Sequence, residues 1–242
     1  MTTLALPTYN SSPILWLQLE SLCRQETQYE WELIVCEDPS KHYAGESYLD
    51  SYRYKLEKAG CKQITYISLD RWVPLSYKWK LLASLAEGDN FLLVASDNYS
   101  PPNRIETTVE YLKSYDWVDW SHGVFLDLDS GKSAKWNRPN SSLTGLYMGT
   151  KTKFIKPLQG PYPKKNIDNW IRNQQKINNR KSIEETPQGI HTDGANQISL
   201  NRKKLYDDLA FFTRYWSNLD NLIPQEVITK LKFNFPKIRT NG

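Results

Sequence analysis

"FLLVASDNYSPPNRIE", Phe91 to Glu106, is the stretch on which the fold turns. Phe91 to Ala95 are all apolar; Ser96, Asp97 and Asn98 follow, and Pro101 and Pro102 close the segment. A continuous apolar run is how a parallel strand covered on both faces reads, whereas a half-exposed strand alternates. In such sheets ligands sit outside the carboxyl ends of the strands. Asp97 is therefore either a ligand-facing carboxylate or a turn and cap residue, since Asp and Asn favour both local roles.

Working outward, three more short apolar strands precede this one. "TTLALPTYN" breaks at Pro7, "WELIVCEDPS" ends on Glu37 and Asp38, and "QITYISL" runs into Asp70, Arg71 and Trp72. Helical patterns separate them. In "SSPILWLQLESLCRQ" Ser12 can cap, Pro13 fits the first turn, and Ile14, Leu15, Leu19 and Leu22 recur at helical spacing. Residues 48–59 read as one helix stopped by Gly60, and "SYKWKLLASLAEG" as another ended by Gly88. Strands alternating with helices predict a mainly parallel sheet with helices on both faces. Thr8 and Tyr9, Asp38, and Asp97 then converge on one edge of that sheet.

The alternation weakens after Tyr115. "DWVDWSHGVFLDLDSGKSAKW" reads as a hairpin turning at Asp129, Ser130 and Gly131, and "TGLYMGTKTKFI" as a further strand. Ile167, Trp170, Ile171, Gln174 and Ile177 mark one face of an amphipathic helix, either a docking stripe or a flap over a site. "HTDGANQISLNRKKLYDDL" predicts a helix starting near Asp193, and a last helix lies around 225–231. No repeat or Gly/Pro/Ser linker divides the 242 residues, a length that fits one α/β domain.

Composition narrows the function classes. A net charge of +4 suits anionic small molecules or a membrane surface, and with Lys and Arg dispersed and no finger, RRM or homeodomain pattern, nucleic acid is not expected as a partner. Cys23, Cys36 and Cys61 are an odd, scattered set without zinc spacing, which points to a reducing compartment. No signal peptide is visible and no apolar run reaches about 18 residues. The expectation is a cytoplasmic, soluble chain, for which a membrane-lipid acceptor would require peripheral docking. The strand-end crevice has no GxGxxG after the first strand and no GxxxxGK[ST], so a dinucleotide dehydrogenase or P-loop enzyme is not expected. A carboxylate-bound divalent metal is the alternative phosphate device.

At this point the sequence resembles a family. "LPTYN", the spacing Leu19, Ser21, Leu22 and Gln25, "ELIVCED", and "EGDNFLLVASDNYSPPNRIE" against "GDYIxFLDxDDxxxPxxLE" occur in the order found in the metal-dependent GT-A glycosyltransferases, especially glycosyltransferase family 2. The likeness covers roughly the first 125 residues well and the rest loosely. It implies a single GT-A-like domain over 1–242, Rossmann-like and α/β, with a mixed, mainly parallel sheet flanked by helices. Residues 1–125 would be the nucleotide-sugar-binding half and 126–242 the acceptor-binding half, with a small β/α extension.

The resemblance also implies roles. Thr8 and Tyr9 would cradle the pyrimidine, Asp38 would accept hydrogen bonds from base or ribose, and Arg71 and Lys78 would lie near base and diphosphate. Asp97 falls at the second acid of the DxD motif and would hold Mn²⁺ or Mg²⁺. Asp193 falls where inverting members carry the general base, with Asp168, Glu184 and Glu185 in reserve. The first acid is missing: Ala95 and Ser96 stand in its neighbourhood, and Ser96 could contact the ribose through its hydroxyl. Asn98 could add a carbonyl oxygen or orient a water, and Asp97 alone suffices for a metal only if diphosphate oxygens and waters complete the shell.

The implied activity is inverting transfer of a sugar from a nucleoside-diphosphate donor, UDP-linked by preference, to a hydroxyl of a glycan, glycoprotein or glycolipid acceptor. His122 and His191 read as structural or acceptor-side, with His191 able to tune Asp193. Trp117, Trp120 and Trp136 lie in the acceptor region, although most of the nine Trp and fifteen Tyr should serve packing. A sugar-1-phosphate nucleotidyltransferase would need a Gly-rich loop after the first strand, which "LPTYNSSP" does not offer. The non-enzyme alternative is a catalytically degenerate nucleotide- or glycan-binding module of the same fold, motivated by the missing acid.

Overall fold

The computed structural model describes residues 1–128, 131, 133–137, 148–164, 166–184, 190–193, 212–215, 219 and 222–236, with backbone alone at 134–137, 193 and 212–215. In chain order the first part runs β1 (Thr2–Thr8), α1 (Leu15–Leu22), β2 (Trp31–Glu37), α2 (Glu46–Asp50), α3 (Arg53–Lys58), β3 (Cys61–Ser68), α4 (Leu75–Leu85), β4 (Asn90–Leu93), β5 (Asn98–Tyr99) and α5 (Arg104–Leu112). The later part comprises β6 (Trp117–Trp120), β7 (His122–Asp127), β8 (Ser133–Asn137), β9 (Gly149–Lys151), α6 (Thr152–Ile155), α7 (Ile167–Gln174), β10 (Arg180–Ile183), β11 (Ile190–Asp193), β12 (Phe212–Tyr215) and α8 (Gln225–Asn234).

Seven strands form the central sheet in the order β10-β6-β9-β4-β1-β2-β3. The pairs β1–β2, β2–β3, β1–β4 and β10–β6 are parallel; β9 alone runs antiparallel, between β4 and β6. This is the mixed, mainly parallel sheet expected. Alternation along each central strand serves two cores. Leu4 and Leu6, Leu33 and Val35, and Leu92 point to a core shared with Leu19 and Leu22 of α1, Leu56 of α3, Ile105 and Leu112 of α5, and Ile228 of α8. Ala5, Ile34, Phe91 and Leu93 point to the other, with Trp79 and Leu82 of α4, Ile155 of α6, and Ile171 of α7. A second sheet, β12-β8-β7-β11-β5, adjoins the carboxyl side of β4.

Several elements differ from the sequence expectation. The helix expected over 48–59 is two, α2 and α3, with Gly60 at φ +95° ending the second. The fourth strand leaves the central sheet after Leu93, and Asn98–Tyr99 pairs with β11 instead. The expected hairpin is β7 with β8, while Trp117–Trp120, fully buried, belongs to the central sheet; Asp129 and Ser130 of its turn lie outside the described residues. The strand read over 144–155 ends at Lys151 because the Thr152 N–H and hydroxyl are taken by the Asp89 and Gly88 carbonyls, opening α6. Its residues 144–147 lie outside the described residues.

Asp193 is the last residue of strand β11, which pairs with β7 in parallel and with β5 antiparallel; residues 194–209 of the helix expected to start near it lie outside the described residues. The α7 stripe is docked. Ile167, Ile171 and Ile177 are all buried, and at about 1.5–3 kcal/mol for each buried aliphatic side chain a free flap would forfeit several kcal/mol. The terminal helix forms as α8. Among the described residues no helix is long and apolar enough to cross a membrane.

Candidate functional site

In the order β3-β2-β1-β4, chain direction across the sheet reverses at β1, and doubly wound sheets bind ligands in the crevice at that switch point. A cleft of about 380 Å³ opens there, lined by Pro7, Thr8 and Tyr9 from the end of β1, Leu93 to Asp97 after β4, and Trp72 to Leu75 before α4. Ser11, Lys78 and Lys164 complete its wall. The size falls in the range of small-ligand sites.

Register explains the convergence at its floor. Thr8 pairs with Glu37, so the next residue, Asp38, lies beside the end of β1, and its N–H reaches the Thr8 carbonyl at 3.4 Å. From α4, Lys78 comes up between them: Nζ is 2.6 Å from Asp38 Oδ2 and 2.7 Å from the Thr8 carbonyl oxygen. Asp38 is 0% and Lys78 3% exposed, so this is a buried ion pair rather than a solvated one. Asp38 Oδ1 and Thr8 Oγ1 are buried with no hydrogen-bond partner among the described residues. Glu37, one residue earlier, is consumed structurally: it accepts the Ala44 and Gly45 N–H groups and the Tyr66 hydroxyl, and burial pushes the Tyr66 phenol up.

The loop carrying Ser96 and Asp97 is held from behind by α1. With its amide oriented to match donors with acceptors, Gln18 donates to the Ala95 and Asn98 carbonyls at 3.0 and 3.2 Å and accepts from Ser100 and Ser21. Gln25 donates to the Pro101 carbonyl and accepts from the Ile105 N–H. Buried Arg104 donates to the Ser100 hydroxyl and the Leu93 carbonyl. Gln18 of α1 and Gln25 just after it, the latter from the sequence motif, thus brace the chain from Ala95 to Ile105.

From the other side β11 clamps the same loop. The Thr192 N–H and hydroxyl both reach the Asp97 carbonyl, at 3.1 and 2.5 Å. His191 Nδ1 is 2.6 Å from the Asn98 side-chain amide and 3.9 Å from Asp97 Oδ1. Asp193 follows Thr192 directly and stands opposite Asp127 in the β7 register, one residue from the Asp97 clamp.

The structure brings Thr8, Tyr9, Lys78, Ser96 and Asp97 into one cleft. Asp38 lies just beneath its floor, and the pair presents Lys78 to the cleft rather than the carboxylate. Arg71 is exposed and does not line the cleft. Asp168 is 3.3 Å from Arg172 on α7, Glu184 is exposed beyond β10, and Glu185 lies outside the described residues. Trp117 and Trp120 are buried, Trp117 donating to Asp119 at 2.9 Å. The expected cap at Ser12 is not made; the Ser11 carbonyl takes the Ile14 and Leu15 N–H groups.

Three lining residues escaped the sequence reading. Trp72, 47% exposed, stands beside Arg71, whose charge is the more conspicuous signal in the sequence. Lys164, whose Nζ sits 5.3 Å from the Trp72 ring centre, comes from a polar stretch without a motif. Ser11 was hidden in a helix-start signal. As to a metal, no group of three or more His, Cys, Asp or Glu poised to hold one occurs among the described residues. One cleft carboxylate nevertheless fits the mode in which Mg²⁺ keeps waters and takes its remaining ligands from substrate phosphates.

A mixed, mainly parallel sheet with a cleft at its switch point, floored by β1 and a carboxylate loop after β4, is the architecture of the GT-A fold. The chain belongs to glycosyl transferase family 2, whose model matches residues 3–209. No protein of curated function matches. Among solved structures, residues 1–349 of S. aureus TarS superpose with TM-score 0.57 at 18% identity, covering 79% of this chain and 60% of that one. The same protein in complex with UDP-GlcNAc gives TM-score 0.55 at 17% identity, covering 97% and 66%. The mannosyltransferase PcManGT from Pyrobaculum calidifontis, in complex with GDP-Man and Mn²⁺, gives 0.53 at 14%, covering 79% and 56%. At such identities the likeness shows the fold, and the chain spans 60% of the length of TarS 1–349.

Proposed function

We propose that this chain is an inverting glycosyltransferase that moves a sugar from a nucleoside-diphosphate donor, UDP-linked, to an acceptor hydroxyl, with Mn²⁺ or Mg²⁺ at Asp97. The observation that carries this is the cleft at the ends of β1 and β4, where Thr8, Tyr9, Lys78, Ser96 and Asp97 meet. Solved relatives of the fold hold UDP-GlcNAc or GDP-Man with Mn²⁺, which supports a nucleotide sugar as donor. The base lies against Thr8 and Tyr9, and Asp38 acts by fixing Lys78 at the floor. Lys164 and Trp72 close the outer wall, while Arg71 stands outside it. Residues 1–125 supply most of the donor side and 126–242 the acceptor side of one domain.

The chemistry assigned to these residues is a single displacement. The acceptor oxygen bonds to the anomeric carbon as the bond from that carbon to the diphosphate oxygen breaks. Asp193 takes the acceptor proton, a role typically worth about 10²–10⁴-fold in rate. When bound, the metal supplies Lewis-acid neutralisation of the charge on the departing diphosphate. Lys164, on the cleft wall, places a second positive charge on that side. The acceptor is a sugar hydroxyl of a glycan, glycoprotein or glycolipid.

The test is calorimetric titration of UDP, with dTDP and GDP for comparison, with and without Mn²⁺, on wild type and Asp97→Ala. The reading expects UDP binding strengthened by Mn²⁺ in wild type and indifferent to Mn²⁺ in the variant. Nucleotide binding that ignores both metal and Asp97 would remove its centre. The second reading, a degenerate binding module, is favoured by one observation, Ala95 at the position of the first acid. Metal-dependent UDP binding with no hydrolysis or transfer on any acceptor would select it.

A further inference from the structure

We infer that Ser11 is a positioning residue that turns the Ser96 hydroxyl into a pure hydrogen-bond acceptor, aimed at a ribose hydroxyl of the donor. The inference rests on the donor-site reading above and deepens it. Ser11 is 2% exposed, and its Oγ has three neighbours: the Tyr9 carbonyl oxygen at 2.9 Å, the Tyr9 N–H at 3.3 Å and Ser96 Oγ at 2.8 Å. A hydroxyl owns one proton and two lone pairs. The carbonyl can only accept, so it takes the Ser11 proton. The amide can only donate, so it takes one lone pair. What remains for Ser96 is the second lone pair, and the Ser96 O–H must donate into it. The proton of Ser96 is thereby spent, and only its lone pairs face the cleft.

Position says what those lone pairs meet. Ser96 is tied through Ser11 to the end of β1, where Thr8 and Tyr9 stand, and directly precedes Asp97 in the chain. A nucleotide with its base on the former and its diphosphate toward the latter sets its ribose between them. Ribose hydroxyls can donate, and the neighbouring cleft residue, Ala95, offers a methyl group. A carboxylate at that place would be an acceptor whatever its surroundings; a serine is an acceptor alone, and not also a donor, only if something else uses its proton. Ser11 does this from inside the fold, without adding charge to the cleft.

The experiment measures affinities of UDP and its 2′-deoxy, 3′-deoxy, 2′-fluoro and 3′-fluoro analogues at fixed Mn²⁺, for wild type, Ser96→Ala and Ser11→Ala. One neutral hydrogen bond is worth roughly three- to tenfold in affinity. Wild type is expected to favour UDP by that factor over the analogue lacking the donated hydroxyl. The fluoro analogue at the same carbon, which can accept but not donate, should behave as the deoxy one. In Ser96→Ala the ratio should collapse to about one, because the acceptor is gone. In Ser11→Ala the fluoro analogue should bind better than the deoxy one, because the freed Ser96 hydroxyl can rotate and donate to the fluorine.

A purely structural role for Ser11 would weaken all five ligands alike and keep the fluoro and deoxy analogues equal, which would overturn the inference. So would a wild-type ratio of one, a ratio that survives Ser96→Ala, or a fluoro analogue that binds like UDP. Each of these outcomes leaves the donor site standing, since UDP still binds. Absence of UDP binding to wild type would instead overturn the donor site and this inference together.

Discussion

Replacing Lys78 with methionine tests the floor of the cleft most directly. Methionine keeps most of the length of the side chain and removes the ammonium. Asp38 Oδ2 then loses its partner at 2.6 Å and the Thr8 carbonyl its donor at 2.7 Å. The side chains of the pair are 4% and 0% exposed, so solvent cannot re-solvate the stranded carboxylate. Breaking a buried pair from one side typically costs about 3–5 kcal/mol, against at most about 1 kcal/mol for an exposed one. For a chain of this length each kcal/mol lowers Tm by about 2–4 °C, so Lys78→Met should melt about 6–20 °C below wild type.

The double variant Asp38→Asn/Lys78→Met separates pairing from packing. It removes the stranded charge and should recover at least about 2 kcal/mol relative to Lys78→Met alone, a coupling expected only of groups in contact. Urea denaturation and thermal melting of wild type, both single variants and the double variant provide the cycle. A loss below about 1 kcal/mol in Lys78→Met, the value of a surface pair, would show that the pair is solvated and the reasoning mistaken. A double variant no more stable than Lys78→Met would show that the lysine acts through packing alone.

Two further outcomes follow from burial. Burial pushes the Cys36 thiol up to about 11 and the Cys61 thiol to about 12, so at pH 8 neither should react with a disulfide reagent in the native protein, and both should react in urea; rapid native labelling of Cys36 would mean that the sheet centre opens. Burial likewise raises Asp119, against hydrogen bonds from Ser182 at 2.5 Å and Trp117 at 2.9 Å that pull the other way. A carboxyl whose folded pKa exceeds its unfolded one stabilises while protonated, and that contribution is lost as pH rises through the folded value. Wild type should therefore lose urea resistance relative to Asp119→Asn as pH climbs above about 4, by about 1.4 kcal/mol for each unit of displacement, and parallel pH profiles would refute the assignment.

Much of this architecture was legible because it is locally written. The apolar runs of β1, β2 and β4 announce a doubly covered sheet, and the polar residues directly after them mark its carboxyl edge. What escaped depends on contacts distant in sequence. The three residues Gly149–Lys151 insert as β9 between β4 and β6, and a Cβ on Gly149 would come within 2.3 Å of Thr108, so this glycine is dictated by α5 rather than by any turn. The "HTD" of β11 carries a capping pattern, yet its backbone groups find partners on Asp97 and β7. Lys78 is placed near the diphosphate by the family likeness, but its pairing with Asp38, made where α4 meets the carboxyl edge, has no local signal. Lys164 reaches the cleft across more than sixty residues of intervening chain after Asp97, with nothing local to signal it.

The missing first acid has an electrostatic consequence that bears on both functional readings. Lys78 is matched by Asp38, so the remaining charged lining residues are Asp97 and Lys164, of opposite sign. A second carboxylate at position 95 would leave the lining net negative and set it against an incoming diphosphate. Two unit charges 4 Å apart interact by about 1 kcal/mol in water and about 4 kcal/mol near a protein surface, so one carboxylate fewer relieves a repulsion of that order. Without that carboxylate the protein alone holds a metal poorly, and under the proposed reading the ion is carried in by the diphosphate. Under that reading binding is made less dependent on metal, but catalysis is not. Negative charge still grows on the leaving group when the glycosidic bond breaks, and Asp97 can answer it only through a cation. A binding module tolerates this cleft as it stands. A transferase must bring the ion with its donor, and the Lys164 ammonium against the Trp72 ring is the part of the wall that lies ready to share that charge.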